Sequence, residues 1–339
     1  MIDVTYHCGL ELAAHSMWLD PHCARPFAFV SHAHSDHIGR HTEVLATAAT
    51  ARLMRARLGG RRIEHVLEFG RTAHFRGLDV TLLPAGHILG SAQFFAETDA
   101  GTLLYTGDFK LRPSLSCETA AWRRADTLIM ETTFALPRYV MPPTERVLAD
   151  IVAFCRETLD AGAAPVLLGY SLGKAQEIIC ALIHAGLTPM LHESVFEMTE
   201  MCRELHPGFP SGYERWSARE AAGKVLVFPP NAQRSPVLER IGSTRTAMLT
   251  GWALDPGARY RFRCDAAFSL TDHADYPDLL RYVELVQPRR VFTVHGFAAE
   301  FARDLRALGI EAWAMNAENQ LEFDLHSAPA RTGQVGADC

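Results

Sequence analysis

Short apolar runs recur along this chain, and several of them end directly at a histidine or a carboxylate. Runs of this kind, rich in β-branched and aromatic residues, predict buried strands. Because sites in layered α/β folds are built from loops just beyond the strand ends, we expect these polar residues to converge at one sheet edge. The runs and the residues that follow them are Phe27–Val30 with the segment 31–37, Gly77–Pro84 with His87, Gly101–Thr106 with Asp108, Thr127–Met130 with Glu131, and Arg290–Val294 with His295.

The segment after the first run contains four residues that can bind metal: His32, His34, Asp36 and His37. Alternation along an extended backbone puts His32 and His34 on the same side. Imidazole nitrogens and carboxylates suit zinc, manganese or iron. A histidine-rich polar loop without metal is the alternative, which the recurrence of ligand-type residues after the later strands disfavours. Asp20 fits equally a turn aspartate before proline and a partner that orients a metal-bound histidine.

Between about residues 140 and 255, helical periodicity alternates with strand-like runs. Apolar residues at a 3.6-residue period predict a helix through Asp160. A strand, Pro165–Leu168, then passes through a glycine-containing turn into a helix that ends near Ala185. This layout can bind phosphate at the helix N-terminus, although the spacing before Gly173-Lys174 is too short for a Walker A loop. The stretch therefore predicts a βαβ-type subdomain.

Composition and charge narrow the class of protein. The chain has 339 residues, of which 48% are hydrophobic and 21% charged, as is ordinary for a soluble globular protein. We find no apolar run long enough to span a bilayer and no signal-peptide pattern, so a cytoplasmic protein without membrane contact is expected. The eight cysteines include no CxxC pair, which disfavours a zinc ribbon. The net charge of −6 disfavours a uniformly basic surface but leaves nucleic acid open, because bound cations can supply a local positive field.

The pattern of His32-x-His34-x-Asp36-His37, with His87 and Asp108 downstream, resembles the signature of the metallo-β-lactamase superfamily. Three further segments are similar to the extra motifs of the β-CASP nucleases, namely those around Glu131, His273 and His295. This resemblance extends from about Tyr6 to Leu325. It implies an α/β fold in which a metallo-β-lactamase αββα sandwich carries an inserted β-CASP α/β domain. The implied divisions are 1–140 and 256–326 for the two parts of the sandwich domain, 141–255 for the insert, and 327–339 for a flexible tail.

The resemblance also implies two divalent metal ions per chain, of which Zn²⁺ is expected and Mn²⁺ is the alternative. One metal would be held by His32, His34, His87 and Asp108. The other would be held by Asp36, His37, His295 and the same Asp108 as a bridge. Asp20 would orient a ligand. Glu131 and His273 would form a hydrogen-bonded pair in which His273 is the general acid, so that the expected catalytic residues are Asp36, Glu131 and His273.

The segment Gly169-Tyr-Ser-Leu-Gly-Lys-Ala-Gln-Glu177 is similar to that of bacterial ligase-associated exonucleases. Its Ser-x-Gly-Lys core also resembles the DNA cross-link repair nucleases, in which it holds a 5′-phosphate. The resemblance implies that a terminal phosphate is bound by Tyr170, Ser171, Gly173 and Lys174. The expected function is a metal-dependent 5′→3′ exonuclease that acts in repair on single-stranded or duplex-end DNA, with DNA ligase or helicase machinery as candidate partners.

Three other functions stay open at this point. An RNA-processing nuclease of the same fold would use the same metals, and its members keep the histidine found here as His295. A small-molecule hydrolase would share the first metal motif but would not need Glu131 or His273. A non-catalytic scaffold would have lost metal ligands, and none is missing from this sequence.

Overall fold

We describe the fold from a computed structural model of the chain. It describes residues 4–6, 8–234, 238 and 241–315, so the predicted tail at 327–339 and the end of the segment 256–326 lie outside the described residues. The strands are β1 Thr5–Tyr6, β2 Leu10–Leu12, β3 Met17–Leu19, β4 Phe27–Phe29, β5 Glu43–Ala46, β6 Ile63–Val66, β7 Thr72–Phe75, β8 Leu78–Pro84, β9 Ala92–Thr98, β10 Gly101–Tyr105, β11 Thr127–Glu131, β12 Ala164–Leu168, β13 Pro189–Leu191, β14 Glu214–Arg215, β15 Val225–Phe228, β16 Thr244–Leu249, β17 Ala266–Phe268, β18 Arg290–Val294 and β19 Glu311–Ala314. The α-helices are α1 Ala48–Leu58, α2 Thr144–Asp160, α3 Lys174–His184, α4 Glu193–Leu205, α5 Ala258–Arg261, α6 Tyr276–Val286 and α7 Ala298–Ala307, and short 3₁₀ helices cover Ala13–His15, Pro230–Arg234 and Gly251–Leu254.

Two sheets form the sandwich that the sequence predicts. The first has the strand order β1-β2-β3-β4-β5-β6, and the second has the order β19-β18-β11-β10-β9-β8-β7. Their inner faces share one buried core in which the rings of Phe29 and Phe94 lie 5.2 Å apart. On the outer faces, α1 packs against the first sheet, and α6 and α7 pack against the second. The αββα prediction is therefore confirmed.

A third sheet, built mostly from the stretch between the two parts of the sandwich, has the order β14-β13-β15-β12-β16-β17, and its strands are all parallel. Helices α2 and α3 bury their apolar sides against one face. The sheet extends beyond residue 255, where the insert was expected to end, because β17 pairs with β16. This edge strand has only three residues, too few for a recognisable pattern. The division into domains stays a prediction.

The strand ends that carry polar residues lie at one edge of the second sheet. β10, β11 and β18 are parallel neighbours, and Glu131 at the end of β11 is in register with Val294 at the end of β18. β8 runs in the same direction, because both β8 and β10 are antiparallel to β9. β4 brings the histidine-rich segment from the facing sheet. Among the described residues, none of the helices is both long enough and apolar enough to cross a membrane.

The turn after β18 needs glycine at residue 296. Its φ is +55°, a region that L side chains adopt only under strain. A Cβ added there would lie 2.5 Å from the carbonyl oxygen of Thr132 and from the Cα of Thr133. These are backbone atoms of the loop after β11, which cannot move aside as a flexible side chain would. Gly296 therefore lets the loops bearing Glu131 and His295 touch.

We expect Gly296→Ala to lower the free energy of unfolding by about 3 kcal/mol or more, since backbone strain adds to a steric clash. Gly162→Ala is the matched control, because Gly162 has φ +74° but nothing within 4 Å of an added Cβ. The control should lose about 1 kcal/mol, from strain alone. Urea unfolding measures both, and equal losses in the two variants would contradict the close approach.

Candidate metal centre

Donor atoms from three strand-end loops converge on one point. His32, His34, His87 and Asp108 each offer a ligand atom within 4.8 Å of all the others. Nε2 of His87 lies 3.0 Å from Nδ1 of His34. Oδ2 of Asp108 lies 3.6 Å from Nε2 of His32 and 3.8 Å from Nε2 of His87. The sequence therefore predicted a set of residues that the fold does bring together.

The hydrogen bonds on the far side of each imidazole determine where its proton lies. Nδ1–H of His87 donates to the carbonyl oxygen of Asp272 at 2.9 Å, and Nε2–H of His34 donates to that of Leu172 at 3.1 Å. The Ser31 hydroxyl donates to Asp20, so it accepts from Nδ1–H of His32 at 2.9 Å. Each inward-facing nitrogen therefore carries a lone pair.

These inward lone pairs fit a cation. Nε2 of His32 is buried and has no hydrogen-bond partner in the described part of the chain. Nδ1 of His34 and Nε2 of His87 cannot bond to each other, because neither carries the proton. Buried acceptors that face each other are unfavourable unless a positive charge lies between them. Three imidazoles and a carboxylate are an ordinary ligand set for zinc.

Electrostatics keeps these groups in the protonation states that bind metal. Burial lowers the pKa of the His32 imidazole well below its usual value and that of His87 to about 3, so both stay neutral. Burial alone would raise the pKa of Asp108, but His37 and His273 nearby hold it well below the usual range. Asp108 is therefore a carboxylate.

A second group of donors adjoins the first and shares Asp108. Nε2 of His37 lies 3.4 Å from Oδ2 of Asp108 and 3.7 Å from Oδ2 of Asp36. The His295 ring lies farther out, with its centroid 5.7 Å from that of His37. One oxygen of Asp108 thus faces both groups, as a bridging ligand would. The assignment of Asp36, His37 and His295 to a second metal stays a prediction.

Asp20 is a buried acceptor of several hydrogen bonds behind the histidine-rich segment 31–37. It accepts from the backbone N–H of Ser31 at 2.7 Å, from the Tyr105 hydroxyl at 2.8 Å and from Nδ1–H of His37 at 3.0 Å. The bond from His37 leaves Nε2 of that ring facing Asp108. This geometry favours the orienting role over that of a simple turn aspartate.

Glu131 and His273 form the expected pair, with Oε1 of Glu131 2.8 Å from Nδ1 of His273. The buried Glu131 carboxylate also accepts from the backbone N–H groups of Phe109 at 3.2 Å and Thr133 at 3.0 Å. Burial opposes a charge on His273, but Glu131 raises its pKa to about 9. The His273 ring lies 4.8 Å from that of His87, one of the candidate metal ligands.

The predicted phosphate-binding turn is largely satisfied within the protein. The N–H of Gly173 donates to Gln176 at 2.7 Å, and the Ser171 hydroxyl lies 3.1 Å from that of Ser194. Lys174 is 5% exposed and its Nζ lies 2.5 Å from Oδ1 of Asp272. Tyr170 is 40% exposed. Phosphate binding by Lys174, which stays a prediction, would require the ion pair with Asp272 to open.

Sequence reasoning missed Asp272 as a member of this site. The residue stands beside His273 in the sequence, but nothing in the local pattern indicates its partner Lys174, which lies 98 residues away. The buried pair of Lys110 with Glu177 was missed for the same reason.

The chain is similar to a family of metallo-hydrolases and to several larger proteins whose names refer to DNA ligation, exonuclease activity and DNA repair. Residues 259–315 match a family described as "Zn-dependent metallo-hydrolase RNA specificity domain". A "Probable DNA ligase" of Opitutus terrae is 52% identical over 329 residues, which are 96% of this chain and 32% of that protein. The "5' exonuclease Apollo" of Gallus gallus is 33% identical over 207 residues, 58% of this chain and 43% of that protein. The "DNA cross-link repair protein SNM1" of Arabidopsis thaliana is 31% identical over 294 residues, 78% of this chain and 59% of that protein. The chain thus spans less than two thirds of the length of each of these relatives.

We expect Asp20→Asn to weaken Zn²⁺ binding by roughly 10–100-fold, because the hydrogen bonds that orient His37 and His32 depend on this carboxylate. The matched control is Asp79→Asn, since Asp79 forms an exposed pair with His74 at 2.9 Å. Isothermal titration with Zn²⁺ compares the two variants. An unchanged affinity in Asp20→Asn would contradict the orienting role.

Proposed function

The chain belongs to the β-CASP group of the metallo-β-lactamase superfamily, and on that basis we propose that it is a metal-dependent nuclease that hydrolyses phosphodiester bonds in DNA. The observation that carries the proposal is the convergence of imidazole lone pairs and a carboxylate beside the Glu131–His273 pair. A small-molecule hydrolase would need the first of these features but not the second. The names of the relatives in O. terrae, chicken and Arabidopsis, which refer to a DNA ligase, a 5′ exonuclease and DNA cross-link repair, support a role in DNA repair.

We assign two divalent cations to the site, with Zn²⁺ first and Mn²⁺ as the alternative that takes the same ligands. His32, His34, His87 and Asp108 would hold one of them. Asp36, His37, His295 and Asp108 would hold the other. When bound, such cations lower the pKa of a water for attack on phosphorus and offset the negative charge on the phosphate oxygens.

The protein's own proton donor for the reaction is His273. Glu131 accepts its Nδ1–H, which fixes the ring so that Nε2–H is available to the leaving 3′-oxygen. The raised pKa of about 9 keeps His273 protonated at neutral pH, as a general acid requires. Glu131 itself accepts from two backbone N–H groups, which fix the orientation of its carboxylate towards His273.

We further propose 5′→3′ polarity, with the terminal phosphate received beside the exposed Tyr170 and the half-buried Ser171 in the turn before α3. The similarity of the segment 169–177 to the ligase-associated exonucleases supports this polarity, and so does the name of the chicken relative. Association with DNA ligase or helicase machinery is part of the same proposal.

An RNA nuclease is the second candidate. The description of the family that matches residues 259–315 names RNA specificity, and that range includes His273 and His295. Both candidates require the same metal ligands, so only the substrate distinguishes them.

The proposal predicts that the metal-loaded protein degrades a 5′-phosphorylated DNA strand faster than a matched RNA strand and faster than the same DNA with a 5′-hydroxyl. Gel analysis of 3′-labelled strands gives all three rates in one experiment. Faster cleavage of RNA would favour the second candidate, and indifference to the 5′-phosphate would remove the proposed polarity. Hydrolysis of neither strand by protein that holds stoichiometric metal would overturn the function.

We expect His273→Ala and Glu131→Gln each to lower the rate roughly 10²–10⁴-fold, the usual contribution of a positioned proton donor. The double variant should lose little more, because the two residues act as one unit. His65→Ala is the control, since His65 pairs with Glu43 at 2.9 Å away from the metal ligands. Zn²⁺ stoichiometry should stay unchanged in all variants, and additive losses in the double variant would contradict the pairing.

A further inference from the structure

Two of the chain's three lysines are buried. Lys110 is 1% exposed and Lys174 is 5% exposed, whereas Lys224 lies partly open to solvent. Lysine is almost never fully buried unless it is paired, since an unpaired ammonium loses its hydration. Each buried lysine here has a single buried carboxylate as its partner, Glu177 for Lys110 and Asp272 for Lys174.

Both ion pairs join the first turn of α3 to the sandwich domain. In one pair the helix provides the cation, and in the other it provides the anion. Lys174, at the start of the helix, reaches Asp272 at 2.5 Å. Glu177, one turn later, accepts from Lys110 at 3.1 and 3.2 Å. The helix thus offers one positive and one negative group, and the opposite surface offers the complement. We call these two pairs the buried clamp.

The partners of α3 are neighbours of the site residues. Lys110 comes two residues after Asp108, and its backbone N–H donates to the carbonyl oxygen of Ala85 in the His87 loop at 3.0 Å. Asp272 immediately precedes His273, and its carbonyl oxygen accepts the Nδ1–H of His87. Any shift of α3 would therefore displace the loops that carry a metal ligand and the general acid.

The side chain of Asp272 could also compete with substrate for the Nε2–H of His273. Its Oδ1 lies 3.7 Å from Nε2 of His273, the atom that has to face the leaving group. The shorter contact with Lys174 holds this carboxylate oxygen and offsets its charge. Without Lys174, the unpaired carboxylate would attract Nε2–H of His273 away from substrate.

Gly173 also serves the packing of α3 against the site. A Cβ at this residue would lie 2.5 Å from Cγ2 of Ile88 and 3.5 Å from Oδ2 of Asp272. The missing side chain lets the start of α3 approach the loop of His87 closely. Gly173 is thus required for packing even though its N–H donates to Gln176 and is not free to bind a phosphate.

We propose that the buried clamp makes α3 a positioning element for the metal centre, and that Lys174 is a positioning residue for His87 and His273 rather than a ligand of the terminal phosphate. A phosphate bound to Lys174 would have to displace Asp272 and leave that carboxylate buried beside a second anion, which is electrostatically unfavourable. This inference rests on the proposed function for its kinetic test, while its metal-binding test does not.

The test uses Lys174→Met, Asp272→Asn and the double variant in the whole chain. The single variant Lys174→Met leaves a buried carboxylate unpaired and should lower the melting temperature, whereas the double variant removes both charges and should recover most of it. If the clamp positions the site, the double variant still loses roughly 10–100-fold in kcat and in Zn²⁺ affinity. Its KM for a 5′-phosphorylated strand and its preference for that strand over the 5′-hydroxyl strand should stay unchanged.

Lys224→Met is the matched control, because Lys224 also forms an ion pair, with Glu214 at 2.6 Å, at the edge of the third sheet. It should keep native kcat and Zn²⁺ affinity. A raised KM and a lost 5′-phosphate preference in Lys174→Met, with kcat and Zn²⁺ affinity intact, would overturn the inference and assign Lys174 to the phosphate. If the native protein hydrolyses neither DNA nor RNA, the proposed function fails, and the Zn²⁺ titration of the double variant against Lys224→Met still decides the clamp.

Discussion

The site depends on where three imidazole protons are held. His32, His34 and His87 each donate from the outer ring nitrogen, to a serine hydroxyl in the first case and to backbone carbonyl oxygens in the other two. Their inner nitrogens therefore carry lone pairs. These nitrogens surround the buried carboxylate of Asp108, where water has little access. Grouping such acceptors in a protein interior without a cation is unfavourable, so this arrangement is one that a divalent metal would stabilise. The hydrogen bonds that orient these rings come from outside the group of candidate ligands, and of the acceptors, Leu172 lies within the inserted segment and Asp272 lies beyond its expected end.

This arrangement explains how the inserted segment influences the site although His32, His34, His87 and Asp108 all lie outside it. Leu172 belongs to the turn before α3 and accepts from His34, while Lys174 holds the side chain of Asp272, whose carbonyl oxygen accepts from His87. The outer hydrogen-bond partners of two candidate ligands, His34 and His87, thus depend on how α3 packs against the sandwich. A sandwich domain of the same sequence without this helix would keep its ligands but lose part of what orients them.

Much of the site followed from local sequence pattern, because β4, β8, β10, β11 and β18 are short apolar runs that end at ligand-type residues. Parallel strand ends share an edge, so the convergence of these residues could be predicted from the sequence alone. The pattern failed where the determining contact is long-range. β9 was not predicted, since its sequence, Ala92-Gln-Phe-Phe-Ala-Glu-Thr98, has no clean alternation, and it is fixed by pairing on both sides. The ion pair between Lys174 and Asp272 could not be predicted, because nothing in the sequence around either residue indicates a partner 98 residues away.

The burial of two lysines also affects how a chain with a net charge of −6 would attract a nucleic acid. Lys110 and Lys174 are neutralised by their own carboxylates and add little to the outer field. Arg52 and Arg55, on the helix α1 whose arginines could have formed a basic strip, face Glu204 and Glu64. These four basic groups are thus offset by carboxylates, and cations bound at the strand ends would supply a local attraction for a phosphate backbone. Local attraction suits an enzyme that engages a strand at its end, because an end requires one deep contact where a long duplex would require many shallow ones.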